Sequence, residues 1–246
     1  MSGDQFAGRV ALVTGGSGGI GAELCVGLSG SGATVAVHYD TNREAAERVV
    51  ARIADAGGRA VALGADLGDP EAPDALVDSV QAELGEVDVL AANAGLNRPG
   101  TYEQVDAAAF DETLAVNLRA PYLLARRVLP GMRARGFGRI LFTSSVAAFT
   151  GGIVGPDYAS SKAGLHGLTH FLASRSAPDG VTVNAIAPAL IEETGMFPRD
   201  PGDLVSRVPV GRLGKPGEVA DLALAILRNG YVTNQVISIN GGMHPG

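Results

Sequence analysis

Short apolar runs alternate along the chain with longer stretches in which apolar residues recur at helical spacing. Several of the runs are continuously apolar, as expected of strands that are buried on both faces of a sheet. They predict seven strands, at Val10–Val13, Thr34–Tyr39, Ala60–Leu63, Asp88–Ala92, Ile140–Thr143, Val181–Ile186 and Gln235–Ile239. The longer stretches predict six helices, at Ile20–Ser29, Arg43–Ala56, Glu71–Leu84, Ala107–Arg135, Tyr158–Ser176 and Pro216–Arg228.

Strands that alternate with helices in this way predict an α/β fold. We expect a doubly wound, Rossmann-type arrangement in which a seven-stranded, mostly parallel sheet carries helices on both faces. Asp40 or Thr41 is the expected cap of the second helix, and Pro216 suits the first turn of the last one. Neither a repeat nor a low-complexity linker divides the sequence, so residues 1–246 are interpreted as one domain.

The composition removes several classes of protein from consideration. The chain has 246 residues, of which 46% are hydrophobic and 18% charged, and its net charge of −7 disfavours nucleic-acid binding. Its apolar runs are shorter than the roughly 20 residues of a membrane helix, and the N-terminus does not resemble a signal peptide. Cys25 is the only cysteine, so an intramolecular disulfide is impossible. These features predict a cytoplasmic protein.

The four histidines are scattered at His38, His166, His170 and His244. His166 and His170 have the spacing of two ligands on one helix face, but the nearby sequence lacks the acidic residue of a familiar zinc pattern. Surface or packing roles are therefore favoured, and no metal site is predicted.

A glycine-rich segment, VALVTGGSGGIGAEL, joins the first predicted strand to the first predicted helix. Gly15, Gly19 and Gly21 have the spacing of a dinucleotide-binding turn. In such a turn glycine permits a tight bend, close approach of the backbone to a pyrophosphate, and packing of the helix on the sheet. Since the N-terminus of the helix then faces the phosphates, the segment predicts a dinucleotide cofactor.

Polar or turn-forming residues follow the next strands at the same expected edge of the sheet. Asp66 follows the third strand, where its carboxylate can accept a hydrogen bond from an adenine amino group. Asn93, Ala94 and Gly95 follow the fourth strand as a tight turn, expected beside the ribose. Ligands of open α/β sheets bind at the carboxyl ends of the strands, so these residues predict one crevice.

Tyr158 and Lys162 lie four residues apart in a predicted helix, which places both side chains on one face. Two interpretations are open at this point. Either the pair serves packing and solubility, or the lysine lowers the pKa of the phenol for proton transfer.

The sequence resembles the short-chain dehydrogenase/reductase family from Arg9 to Met243, and within it most closely the 3-oxoacyl-carrier-protein reductases and related polyketide or sugar reductases. The motifs occur in the family's order. They are TGGSGGIG at Thr14–Gly21, NAG at Asn93–Gly95, the Asn117 of LAVNLRAP, SS at Ser144–Ser145, YASSK at Tyr158–Lys162, VNAIAP at Val183–Pro188, and the closing INGGM.

This resemblance implies a catalytic set. Ser145 lies thirteen residues before Tyr158, which is the family spacing, and is chosen over Ser144. By resemblance, Ser145 donates a hydrogen bond to the substrate carbonyl and Tyr158 exchanges a proton with the alkoxide. Lys162 binds the nicotinamide ribose and, with the oxidised nicotinamide, favours the phenolate. Asn117 holds a water that connects Lys162 to solvent.

The resemblance also implies the cofactor contacts. They are Gly15, Ser17, Gly19, Ile20, Gly21, Tyr39, Asp40, Asp66, Leu67, Asn93, Ala94, Gly95, Tyr158, Lys162, Pro188, Ile191 and Thr194.

Three departures from the family pattern bear on the site. Ala189 follows Pro188 where the family has glycine, which restricts the backbone of the nicotinamide-side loop. IEETGM contains an additional glutamate that leaves the register of Thr194 uncertain, and Asn234 replaces the glycine of Thr-Gly-Gln. The segment Gly195–Pro209 is the expected substrate lid.

The choice between NAD(H) and NADP(H) depends on the end of the second strand. The two positions that carry a basic residue in phosphate-binding relatives are Gly18 and Asp40 here, which favours NAD(H). Two observations oppose this. Asp40 lies one place beyond the family's usual acid, a position that Tyr39 occupies, and Asn42 and Arg43 can reach a 2′-phosphate.

The resemblance predicts an oxidoreductase that transfers a hydride between a nicotinamide and a ketone or secondary alcohol, as a 3-oxoacyl- or polyketide-type ketoreductase. The alternatives are a sugar or other secondary-alcohol dehydrogenase and, in a different class, a cofactor-binding protein without turnover. A homotetramer built on the Ala-rich helices is expected. A carrier protein is a further possible partner, and the arginines that would receive it are Arg126, Arg127, Arg133 and Arg135, with Arg175 nearby.

Overall fold

A seven-stranded parallel sheet forms the centre of the computed structural model, which describes residues 5–98, 100–194 and 202–245. The strands lie in the order β3-β2-β1-β4-β5-β6-β7, and every neighbouring pair is parallel. The doubly wound α/β fold expected from the sequence is therefore confirmed. The strands are β1 Val10–Thr14, β2 Thr34–Tyr39, β3 Ala60–Gly64, β4 Val87–Ala92, β5 Gly138–Thr143, β6 Val181–Pro188 and β7 Val236–Ile239.

Eight α-helices accompany the strands in the described ranges. They are α1 Gly19–Ser29, α2 Arg43–Asp55, α3 Ala72–Leu84, α4 Ala107–Leu114, α5 Ala120–Ala134, α6 Ala147–Thr150, α7 Pro156–Ser176 and α8 Pro216–Arg228. Short 3-10 helices cover Ala177–Asp179 and Gly202–Arg207. Of the helices in these ranges, none combines the length and the apolar character needed to cross a membrane.

The sheet separates two hydrophobic cores, because consecutive residues of a strand point to opposite faces. In β1, Ala11 and Val13 belong to the core that contains α1, α2 and α8. Val10 and Leu12 belong to the other core, with α3, α5 and α7. Both faces of the strand are therefore covered, which explains why its sequence is continuously apolar.

The prediction of one continuous helix over Ala107–Arg135 is wrong, because the structure interrupts it near the middle. The structure divides it into α4, a π-helical segment at Ala115–Arg119, and α5. Pro121 has no N–H to donate to the carbonyl of Asn117, four residues earlier, so a regular α-helical bond is impossible there. The Asn117 side chain bonds instead to the loop that follows β4, at Leu96.

Side-chain geometry also corrects the start of α2. The cap is Asn42, whose Oδ1 accepts a hydrogen bond from the Ala45 N–H at 3.0 Å, rather than Asp40 or Thr41. Helix α7 begins two residues earlier than predicted because Pro156 occupies its first turn, where a missing N–H carries no penalty.

Of the expected lid, residues 195–201 lie outside the described ranges.

The order of the strands positions a crevice. The chain leaves β1 toward β2 on one side and returns to β4 on the other, so the loops after β1 and β4 diverge at the carboxyl edge of the sheet. A change of direction of this kind is where open α/β sheets bind ligands.

Candidate active site

The loop after β1 makes a turn that only glycine can form. Gly15 has φ +63°, and a Cβ on Gly21 would lie 2.1 Å from the Gly15 carbonyl oxygen. Gly18 precedes α1 without a side-chain cap, so the first N–H groups of this helix face the crevice. A diphosphate fits this cradle, because the backbone approaches closely and the helix dipole favours negative charge.

Asn93 holds this turn in place. Its Nδ2 donates to the carbonyls of Thr14 and Gly15 at 3.2 and 3.3 Å, and its Oδ1 accepts from the Thr143 hydroxyl at 3.2 Å. The Thr14 hydroxyl accepts from the N–H groups of Asn93 and Ala94, both at 3.0 Å. The side chain predicted to lie beside the ribose therefore joins the loops after β1, β4 and β5.

Most of the predicted residues line one cavity of about 680 Å³ at the carboxyl edge of the sheet. It lies between the glycine turn, the loops after β4 and β5, the start of α7 and the segment after β6. The predicted residues that line it are Gly15, Ser17, Gly19, Ile20, Asn93, Ala94, Gly95, Ser145, Tyr158, Lys162, Pro188, Ile191 and Thr194.

Tyr158 and Lys162 are both buried on α7, with 8% and 2% of their surface exposed. The Lys162 ammonium lies 5.5 Å from the centre of the Tyr158 ring and donates to the Thr143 carbonyl at 2.8 Å. Burial lowers the pKa of Lys162 to about 8 and raises the pKa of Tyr158, while the nearby Ser145 hydroxyl opposes the rise. Additional positive charge at the site is therefore needed to favour the phenolate.

Ser145 and Ser144 differ in what their hydroxyls contact. The Ser144 hydroxyl donates to the Lys162 carbonyl at 3.0 Å and lies 2.8 Å from Nε2 of His166, so it is occupied within the protein. The Ser145 hydroxyl accepts the Ala147 N–H at 3.2 Å and faces Tyr158, whose pKa it lowers, so it is directed toward the reacting group. The contacts thus favour Ser145, the serine selected by its spacing from Tyr158.

Asn117 lies behind the cavity rather than in its wall. It is fully buried, and its Oδ1 accepts from the Leu96 N–H at 2.7 Å. Its Nδ2 contacts the Leu96 carbonyl at 2.8 Å and the Ser161 hydroxyl at 3.1 Å. The amide therefore fixes the loop after β4 against α7, and a water relay through this residue stays a prediction.

The residues expected beside the adenine lie outside this cavity. Asp40 and Asp66 are exposed, and Asp66 accepts the Gly68 N–H at 2.8 Å. Leu67 is buried in the core beside α3, and Tyr39 covers Gly64. These four residues and Gly21 belong to the edge of the sheet or its packing and do not line the cavity.

Two of the three departures from the family pattern have a structural explanation. Ala189 is absent from the positive-φ residues, so alanine is accommodated there without strain. Asn234 has φ +65°, a conformation that asparagine tolerates better than most residues, and its Oδ1 lies 2.6 Å from Nδ1 of His170.

The additional glutamate introduces a strained residue beside the cavity. Glu193 has φ +58°, which is unfavourable for a residue with a long side chain. A Cβ on Gly19 would lie 3.1 Å from the Thr194 Cα, so the segment lies directly against the glycine turn. Thr194 thus reaches the crevice despite the uncertain register.

Further residues line the same cavity. Leu204 and Arg207 belong to the expected substrate lid, Ile153 and Val154 come from the loop that follows Ser145, and Asn97 and Met243 were not among the predicted site residues. Among the described residues, no carboxylate lines the cavity, and its charged side chains are those of Lys162 and Arg207. The sequence contains no local signal that Asn97 and Met243 face the cavity, because they lie in segments that the chain brings together only on folding.

The histidine pair on α7 does not form a metal site. His166 contacts Ser144 and His170 contacts Asn234. Within residues 5–98, 100–194 and 202–245, no three His, Cys, Asp or Glu side chains group around a possible metal.

Comparison with known proteins identifies the family. A family model described as short chain dehydrogenase matches residues 9–202. The acetoacetyl-CoA reductase of Cupriavidus necator is 35% identical over 243 residues, covering 97% of this chain and 99% of that protein. The solved structure of a short chain dehydrogenase from Burkholderia cenocepacia in complex with NADP is 36% identical with a TM-score of 0.90, covering 98% and 99%. A blue fluorescent protein from a metagenomic library, in complex with NADPH, is 32% identical with a TM-score of 0.92, covering 98% and 100%.

We predict that Lys162→Met stabilises the fold at pH 7 by about 2 kcal/mol, because a buried ammonium is removed at the expense of one hydrogen bond. The folded pKa of about 8 lies below the unfolded value, so the unfolded chain binds the extra proton between pH 8 and the ordinary lysine pKa near 10.5. Wild-type stability should therefore rise through this window, and the advantage of the variant should shrink.

Urea denaturation at pH 7 and again near the upper end of that window measures the difference. The exposed Lys215→Met is the matched control and should show no such pH dependence. A Lys162→Met variant that is less stable than wild type at pH 7 contradicts the prediction.

Proposed function

Because the chain belongs to the short-chain dehydrogenase family and is a nicotinamide-dependent oxidoreductase, we propose that it reduces a 3-oxoacyl thioester to the 3-hydroxyacyl product. The observation that carries the proposal is the convergence of Ser145, Tyr158 and Lys162 on one cavity beside the glycine turn. The bound nicotinamide supplies the hydride that adds to the carbonyl carbon.

The side chains then have distinct tasks. The Ser145 hydroxyl donates a hydrogen bond to the substrate carbonyl oxygen and orients it. The Tyr158 hydroxyl delivers its proton to the same oxygen as negative charge develops there. Lys162, held by the Thr143 carbonyl, stabilises the resulting phenolate electrostatically.

The rest of the cavity suits an acyl chain with an anionic group. Ile153, Val154 and Leu204 provide an apolar wall, and Arg207 offers a cation at the lid.

A sugar would require many polar partners, so a sugar dehydrogenase is the weaker alternative. The complete catalytic set disfavours a cofactor-binding protein without turnover. The relative from Cupriavidus necator, named acetoacetyl-CoA reductase, supports a thioester substrate.

Delivery by a carrier protein has less support than free coenzyme A thioesters. Arg126 pairs with Asp74 at 2.9 Å and Arg127 with Asp78 at 2.5 Å. The other two arginines are also paired, Arg133 with Asp179 at 2.6 Å and Arg135 with Glu86 and Asp88 at 3.1 and 3.3 Å. Because their charges are partly neutralised, we propose a free thioester as the physiological substrate.

The proposal also includes the domain organisation of the chain and its location in the cytoplasm. We propose that residues 1–246 act as one domain with the lid at about 195–209. The buried free thiol of Cys25 suits a reducing compartment. Cell fractionation with an antibody against the protein tests the location.

For the cofactor we propose NADP(H), although the sequence favoured NAD(H). Two solved relatives contain NADP or NADPH. Arg43 begins α2, close to the Asp40 end of β2, and is 73% exposed at its side chain. Only its Nε is used, in a 2.7 Å bond to Glu47, so its terminal nitrogens remain for a 2′-phosphate.

We expect wild type to prefer NADPH over NADH more than tenfold in kcat/KM, or about 1.4 kcal/mol. Arg43→Gln should lower kcat/KM for NADPH about tenfold and leave NADH nearly unchanged. Arg48→Gln is the matched control, because Arg48 lies on the same helix and pairs with Glu44 at the same 2.7 Å. A wild-type preference for NADH would instead identify Asp40 as the selecting residue.

We expect Tyr158→Phe to retain the fold and cofactor affinity but to lower kcat by at least about 100-fold, since only the proton donor is lost. Nicotinamide absorbance with acetoacetyl-CoA measures the rate, and the exposed Tyr231→Phe is the control. Near-wild-type turnover of Tyr158→Phe would remove the catalytic assignment. Running the assay with the acyl group on a carrier protein compares the two forms of substrate.

We also expect a homotetramer. Tyr122 on α5 and Phe171 on α7 are 45% and 55% exposed, so each of these helices presents an aromatic ring that a subunit interface would cover. Contact between these helices in one interface, with a second interface elsewhere, gives closed symmetry with four subunits. Light scattering at micromolar concentration measures the mass, and a monomer would contradict this expectation.

A further inference from the structure

We infer that the buried imidazole of His38 positions the adenosine-diphosphate half of the cofactor site. His38 lies in β2, between the glycine turn and the loop after β3, and only 2% of it is exposed. The inference rests on the proposed placement of the cofactor, and it adds a positioning residue that does not itself line the cavity.

Three hydrogen bonds connect His38 to two loops. Its Nδ1 accepts the Gly15 N–H at 3.1 Å, and its own carbonyl accepts the Gly16 N–H at 2.8 Å. Its Nε2 lies 3.0 Å from the Ala65 carbonyl. One side chain thus joins the turn after β1 to the segment after β3, across the strand that separates them.

The bonds determine the form of the ring. Since Nδ1 accepts a hydrogen bond from the Gly15 N–H, it carries no proton, and the single proton of a neutral imidazole is on Nε2. That proton is donated to the Ala65 carbonyl. Burial lowers the pKa of His38, which supports the neutral form, although the hydrogen bond to the Ala65 carbonyl and the charge of Asp40 act in the opposite direction.

Both bonded positions adjoin the expected cofactor contacts. Gly15 is the residue with φ +63° from which the turn leads to Ser17 and the start of α1. Ala65 directly precedes Asp66 and Leu67, the expected adenine side. A displacement of either segment would change the distance between the diphosphate cradle and the adenine position.

A solely structural role is the competing explanation, and the chain contains a matched control for it. Asn184 is 1% exposed and also bridges backbone groups, because it accepts the Gln235 N–H at 3.1 Å and donates to the Val232 carbonyl at 2.8 Å. Its bonds lie between β6 and the approach to β7, away from the glycine turn. Disturbing it should affect stability without affecting the cofactor.

Three His38 variants separate the two bonds. His38→Asn retains an acceptor near the Nδ1 position for Gly15 and loses the donor to Ala65. His38→Gln retains a donor near the Nε2 position and loses the acceptor. His38→Leu loses both, and Asn184→Leu is the control.

The measurements are dissociation constants for NADPH and for ADP-ribose, which lacks the nicotinamide, together with kcat at saturating cofactor. We expect His38→Leu to weaken both ligands about tenfold and to change kcat less than twofold. The Asn and Gln variants should each lose about threefold, as expected for one hydrogen bond. Asn184→Leu should lower the melting temperature but leave both dissociation constants within twofold.

Dissociation constants within twofold of wild type in His38→Leu would overturn the inference. If that variant does not fold, unchanged binding by both His38→Asn and His38→Gln overturns it equally. A loss of NADPH affinity in Asn184→Leu as large as in the His38 variants also overturns it, because the effect would then follow stability alone. Failure of the wild type to bind any nicotinamide dinucleotide would instead refute the proposed function.

Discussion

Parallel pairing of the strands is the constraint on which the site depends. Because all seven strands run in one direction, every loop that leaves a carboxyl end emerges at the same edge of the sheet. The glycine turn, the Asn93 loop and the Ser145 loop thereby meet, although they are far apart in the sequence. Two apolar cores, one on each face, hold the strands rigidly enough to keep these loops in register.

Close backbone approach is the second requirement. Gly21 lies so near Gly15 that no side chain fits between them, and Asn93 joins the turn to the neighbouring strand ends. His38 makes the corresponding connection to the third strand. Buried polar side chains at this edge therefore find their hydrogen-bond partners in the loop backbone. The same hydrogen bonds stabilise the fold and hold the loops of the site in position.

The chemistry requires groups that the fold alone would not favour. Burial disfavours the charged form of Lys162, so this side chain opposes the stability of the protein, and burial also raises the pKa of Tyr158, which opposes formation of the phenolate. The single Thr143 carbonyl compensates Lys162 in part. Such a balance is typical of catalytic sites, where an unfavourable charge is retained because a reaction step uses it.

The sequence by itself determined the strands, the glycine turn and the Tyr158 and Lys162 pair, because a continuous apolar run, the spacing of glycines and a four-residue helical spacing are each visible in neighbouring residues. Only the tertiary structure showed that the predicted long helix is interrupted at Ala115–Arg119, where the Asn117 side chain bonds Leu96, and that Arg126 forms an ion pair with Asp74. These outcomes depend on which distant groups meet. Hydrogen bonds and ion pairs act over a few ångströms, so their partners are decided by the folded chain and not by neighbouring residues.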